Sequence, residues 1–199
     1  MGQGTILWIG LLCGLAVLFA ITLRRMALLV RRTRDLERFQ RAADDLAVRL
    51  AAATGPVVRD LDALRRHAGD PAAAAETLAV TRVELDRLAA EGLALRPPNG
   101  LEKAGSAVSG ELARAVRAAE MVEHGLSALA DTRGGRELEA ETSLKRGVLN
   151  LRHASDTVTR LAREVAAVRP SDLAARTAGA TQLVAGSSAE FVVSDFEDA

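Results

Sequence analysis

Aromatic residues are scarce in this chain of 199 residues: one tryptophan, four phenylalanines and no tyrosine. Sheets draw on aromatic and β-branched side chains to cover their pleated faces, so the shortage argues against a sheet. Single-stranded nucleic acid is held on aromatic platforms, and the basic stretch near the start offers only Phe39. Charge of one sign is missing too. The 26 Lys and Arg balance 26 Asp and Glu, so the whole chain has no net field to gather a polyanion. No nucleic acid is expected as a partner.

Cysteine is nearly absent. Cys13 stands alone, which excludes an intramolecular disulfide and any Cys-x-x-Cys metal or redox pair. There is no phosphate-binding glycine loop, no zinc-protease motif and no nucleophile elbow. His67, His124 and His153 do not converge on the helices expected below, and the Glu-x-x-His pairs of carboxylate-bridged metal bundles are missing. The expectation is a protein that is not an enzyme, with no cofactor, no metal and no small-molecule substrate.

What the chain has in quantity is helix formers, led by Ala, Leu, Arg, Glu and Val. Arginine outnumbers lysine 24 to 2, a usage associated with high-GC bacterial genomes. The fold expected is all-α.

Thr5 to Leu23 is a run of 19 residues without charge, close to the ~20 a helix needs to cross the hydrocarbon core. A secretory signal would want a basic start, a shorter apolar core and a small-residue cleavage site. Here two arginines follow the run and none precedes it. Residues 1–25 are therefore expected to form a single-pass transmembrane anchor. Arg24, Arg25, Arg31, Arg32 and Arg34 crowd its far side. By the positive-inside rule they place the N-terminus outside and the rest in the cytoplasm, at the inner membrane. They can also contact anionic headgroups of membrane lipid, although stopping translocation alone would explain them. Gly10 and Gly14, with Ala16 and Ala20, repeat a small residue every fourth position, a face on which two membrane helices can approach closely. This makes a homo-oligomer, or pairing with another membrane protein, the expected association; glycine is also simply common in membrane helices.

Past the arginines the apolar positions step by threes and fours, the helical signature. Leu36, Phe39, Ala43, Leu46, Leu50, Ala53, Val57, Leu61, Leu64 and Ala68 form one stripe, which keeps its phase across Gly55-Pro56. One helix over about 26–68, kinked near 55–56, is expected. Asp70-Pro71 reads as a cap followed by proline in the first turn, opening a helix over 71–95. "RPPNG" breaks it, and Asn99 with Glu102 resembles a capping box for a helix over 101–131. Gly105 and Gly110 weaken its start. After "DTRGG" a last helix runs over 136–168, with Gly147 weakening its middle and Pro170 ending it. Four amphipathic segments with short joints predict an antiparallel up-down bundle over 26–170.

The remainder, 171–199, reads as a short helix capped by Ser171 and then a tail. Its end is acidic and carries Phe191, Val192, Val193 and Phe196. It is either a terminus without packing partners, an acidic-hydrophobic segment that docks on a partner, or a last packed piece. The function expected is a membrane-tethered helical interaction or scaffold protein. The alternative is a signal-transmitting membrane protein, in which the anchor helix drives a two-state cytoplasmic bundle through the Gly55-Pro56 kink.

Overall fold

The computed structural model describes residues 3–66, 68–130 and 137–173; within the first helix, side chains are described for 14–16 and from 18 onward. Four long helices follow one another: α1 (Gln3–Arg65), α2 (Pro71–Ala94), α3 (Glu102–Ala130) and α4 (Glu137–Ala166). No strand occurs among the described residues. Consecutive helices pack side by side, and α4 returns to α1, so the four close into a ring of neighbours.

Named contacts fix the antiparallel sense. Thr81 of α2 meets Ala53 of α1, while Glu84 and Glu91 meet Arg49, so one chain climbs as the other descends. Between α2 and α3, Arg82 reaches Glu120 and Glu123, and Gly92 lies against Leu112. Gly125 lies against Leu144 and Gly147 against Val122 in the α3–α4 pair. Gln40 reaches Val165 and Val168, and Arg152 bonds Asp62, across α4 and α1.

The core runs the length of the bundle, and its largest fully buried side chains include Leu50, Leu61, Leu85, Leu88, Leu112 and Leu151. A second, smaller cluster closes one end. It joins Leu36 and Phe39 of α1 with Leu101, Val165, Val168 and Leu173. Most of the expected stripe Leu36–Ala68 is buried, but Ala53 and Leu64 are half-buried and Ala68 is exposed. Leu129 and Leu138 are exposed too, and both flank 131–136, which lies outside the described residues.

Local signals depart from the expectation in several places. Asn99 does not cap α3. Leu101 N–H donates to the Pro98 carbonyl at 3.0 Å, and Gly100 has φ 90°. That positive φ is what the third residue of a type II turn requires. The Glu102 carboxylate then accepts from Gly100 N–H at 2.8 Å. Ser171 is not the cap of the final turn either; the Asp172 carboxylate accepts from Arg169 N–H at 3.1 Å. Asp70 behaves as expected, accepting from Ala72 N–H at 3.0 Å ahead of Pro71.

Two of the three glycines read above as weak points, Gly105 and Gly147, are contact points. A methyl group on Gly147 would stand 2.5 Å from Val122 Cγ2, 3.0 Å from the Ala118 carbonyl oxygen and 3.2 Å from Val122 N. Backbone atoms cannot yield as a side chain can, so glycine there is what lets α3 and α4 approach. Gly105 is buried against Pro97 in the same manner. Only Gly110 has nothing within 4 Å of such a methyl among these three.

α1 continues unbroken through Pro56. Proline has no N–H, so the Ala52 carbonyl loses its partner four residues on. Next to it, the Ala53 carbonyl accepts from the Thr81 hydroxyl at 3.2 Å, and Thr54 bonds back to the Leu50 carbonyl at 2.8 Å. Thr54 and Thr81 are the buried polar side chains of the described core, and both sit at the proline. The two hydroxyls bond the Ala53 and Leu50 carbonyls and not Ala52 itself, so they add backbone hydrogen bonds on either side of the group the proline frees.

Among the described residues no helix is long and apolar enough to cross a membrane. The uncharged run Thr5–Leu23 enters that statement only with its described side chains, which begin at Gly14.

Candidate functional site: the apolar arm and its junction with the bundle

The bundle uses only the second half of α1. Among the described side chains of that helix the first buried one is Leu36. Residues 3–35 therefore project as a single-helix arm, about 50 Å long at ~1.5 Å per residue. From Gly14 onward its described side chains are exposed, apart from the half-buried Thr33. Leu15, Leu18 and Phe19 are each 65% exposed, and Ile21, Leu23, Met26, Leu28, Leu29 and Val30 join them. Burying one such side chain fully is worth roughly 1.5–3 kcal/mol. Nine of them left in water forgo on the order of 10 kcal/mol, comparable to the whole net stability of a domain. A surface of that cost is built to be covered.

Gly14, Ala16 and Ala20 lie exposed on the arm, and a methyl group on Gly14 would meet nothing within 4 Å. Of their proposed companion Gly10 the backbone alone is described. Arg24, Arg25, Arg31, Arg32 and Arg34 are exposed, and among the described residues none is in an ion pair. The nearby acids are engaged elsewhere: Asp35 with Arg38 and Glu37 with Arg41. Five cations thus stand free on the arm. Phe191, Val192, Val193 and Phe196 lie outside the described residues.

Where the arm enters the bundle, a cleft of about 870 Å³ opens between α1 and the α2–α3 connection. Leu29, Phe39 and Leu46 form one wall; Leu95, Pro97 and Pro98 form the other. Sequence reasoning took "RPPNG" only as a helix breaker. The local signal for more was an arginine beside two prolines, but nothing in the sequence tells which helix face they meet.

Two arginine clamps hold the helices beneath this cleft. Arg49 donates to Glu84 and Glu91, each at 2.7 Å, and to Asp45 at 3.2 Å. Its guanidinium is held above its ordinary pKa by Glu91 first and Glu84 second, and the Glu91 carboxyl is held below its ordinary value chiefly by hydrogen bonds from Arg49. Arg82 performs the same service between α2 and α3, donating to Glu120 at 2.8 Å and Glu123 at 3.0 Å.

Histidine chemistry does not develop. His124 pairs with Glu139 across the α3–α4 hairpin at 3.2 Å, not with Glu120, which Arg82 takes. His153 lies by Thr157, and His67 lies outside the described residues. Among the described residues no group of three or more His, Cys, Asp or Glu side chains is placed to hold a metal ion.

No family model matches the chain, and no curated protein or solved structure is significantly similar to it. The arm and its junction therefore carry the functional reading by themselves.

Proposed function

We propose that this protein is a membrane-tethered interaction protein, anchored by the arm and acting through the helical surfaces of its bundle. The observation that carries this reading is the exposed apolar arm, with nine large hydrophobic side chains exposed on the part of α1 that precedes the bundle. The uncharged run of 19 residues supports lipid as its cover. The five free arginines that follow support an anionic, cytoplasm-facing membrane surface at the base of the arm. In this reading the arm is a single-pass anchor of the inner membrane, with the N-terminus outside and the bundle in the cytoplasm. Gly10, Gly14, Ala16 and Ala20 are the face for a second copy or another membrane protein. Phe191, Val192, Val193 and Phe196 are a further contact for a partner.

Alkaline carbonate extraction of cell membranes tests the anchor, and protease treatment of inverted vesicles tests the orientation. Retention in the pellet and digestion of the bundle are expected. Release by carbonate, or a protected bundle, would overturn the reading.

Transmission of a signal along α1 is the second reading. It is favoured by one observation, the gathering of both buried threonines at Pro56, where the helix that carries the arm crosses the core. Replacing Gly55-Pro56 by Ala-Ala should abolish such a response and leave a static scaffold intact.

A further inference from the structure

The cleft at the junction of arm and bundle matches a segment of this same chain. We propose that the acidic-hydrophobic stretch 187–199 docks in it.

Three observations converge on this occupant. The first is position. Pro170 and Leu173 line the cleft, and Leu173 is the last described residue, so the following chain departs from the rim. Fully extended, 174–190 reaches about 55 Å at ~3.3 Å per residue, far more than a return to the same cleft needs. Tethering at that distance gives an effective concentration in the millimolar range, so a weak contact suffices.

Charge is the second. Asp35, Asp45 and Glu91 also line the cleft, but each is in an ion pair, with Arg38, Arg49 and Arg49 respectively. Arg32 and Arg96 line it as well, and among the described residues neither has an acidic partner. The lining holds three arginines and three carboxylates, and the two charges among them without an opposite partner in the described residues, Arg32 and Arg96, are both positive. Glu190, Asp195, Glu197 and Asp198 supply the complement, with no Lys or Arg among them.

Shape and polarity are the third. The walls made by Leu29, Phe39, Leu95 and Pro97 are apolar, and Leu29 is 62% exposed. Phe191, Val192, Val193 and Phe196 fall within six residues, and on a helix Val192, Val193 and Phe196, three and four apart, share one face that can meet an apolar groove. Acid flanking aromatic residues answers arginine flanking an apolar cleft.

The test uses the whole chain in mild detergent and a version lacking Ser187–Ala199. A fluorescein-labelled peptide of that stretch is titrated onto each by anisotropy, with empty micelles as blank. The shortened chain is expected to bind it in the micromolar range. The full chain should bind at least tenfold more weakly, because its own copy holds the site. Arg32→Glu with Arg96→Glu in the shortened chain should weaken binding at least tenfold, as should Phe191→Ala with Phe196→Ala in the peptide. Both arginines are exposed, so circular dichroism should confirm an unchanged fold. No binding to the shortened chain, equal binding to both chains, or indifference to the arginine substitutions overturns the proposal. A dimer seen by light scattering only when Ser187–Ala199 is present would move that stretch onto a second copy, and overturns it too. None of these readings depends on whether the arm is embedded in lipid.

Discussion

The side-chain amide of Gln40 donates to the carbonyl oxygen of Val165, 125 residues further along the chain, at 3.0 Å. The same nitrogen reaches the Val168 carbonyl at 3.0 Å. These oxygens belong to the last turn of α4 and the residues just past it, where intrahelical donors run out; the Val165 oxygen also accepts from Val168 N–H at 3.1 Å. α1 thus supplies the C-terminal cap of α4.

Replacing Gln40 by Leu should therefore cost about 1–2 kcal/mol in urea denaturation, because it removes the donor on the partly buried Val168 carbonyl and the second donor on Val165. Gln40→Glu should cost more at neutral pH, since a carboxylate would face carbonyl oxygens. Hydrogen exchange at the end of α4 should quicken in both variants. Unchanged exchange there would refute the capping role.

Gly147→Ala is expected to destabilise by about 1–3 kcal/mol, the usual range for overpacking, because the new methyl meets backbone of α3. Gly110→Ala, on the same helix pair but facing open space, should stabilise by roughly 0.4–1 kcal/mol. Opposite signs for two identical substitutions, read from denaturation midpoints, test the close approach directly.

That contrast marks the limit of what sequence could show. Leu78, Leu85, Leu88, Leu112, Val148, Leu151 and Val158 were legible as core because their hydropathy is large and their period helical, and all are buried. Ala118, Ala140, Ala154, Gly125 and Gly147 are buried just as deeply. They carry little hydropathy, and only the proximity of the facing helix decides that they are inside. In α4 the structure buries Ala154 and leaves the adjacent Ser155 half exposed, a choice hydropathy alone does not make. The exposed arm was legible as an uncharged run. The cleft at its base was not, because it joins residues from α1, the α2–α3 connection and the segment after α4.

Acidification should loosen the α1–α2 seam. Glu91 is held below its ordinary 4.5, first by Arg49. A carboxyl with a lowered folded pKa stabilises the fold above its unfolded value, and that contribution disappears as pH falls from about 4.5 through the lower folded value. Stability measured from pH 7 to 3 should decline across that window. In Arg49→Met the decline should be shallower, since Glu91 then has less to lose. Identical slopes in the two proteins would show the clamp to be idle.

Pro56→Ala restores an N–H for the Ala52 carbonyl and should stabilise, by up to about 3 kcal/mol if the bundle does not resist. Thr81→Val should cost about 1 kcal/mol in the natural background, since it removes the hydroxyl on the Ala53 carbonyl. With Ala at 56 that cost should shrink. A double-mutant cycle in which the two effects simply add, within ~0.3–0.5 kcal/mol, would separate the threonine from the proline.

The closure of α1 against α4 sets an order on synthesis. The wall facing Leu36, Phe39 and Leu61 includes residues translated some hundred positions later, with Val165 and Val168 among the last. Contacts so distant in sequence form slowly. α3 and α4, only six residues apart in sequence, can zip together as soon as both have left the ribosome, whereas the early helix waits with a greasy flank in water. A nascent chain halted before Val165 would therefore present an open bundle to chaperones and proteases, and nonsense mutations even near the end of α4 should be cleared rather than tolerated.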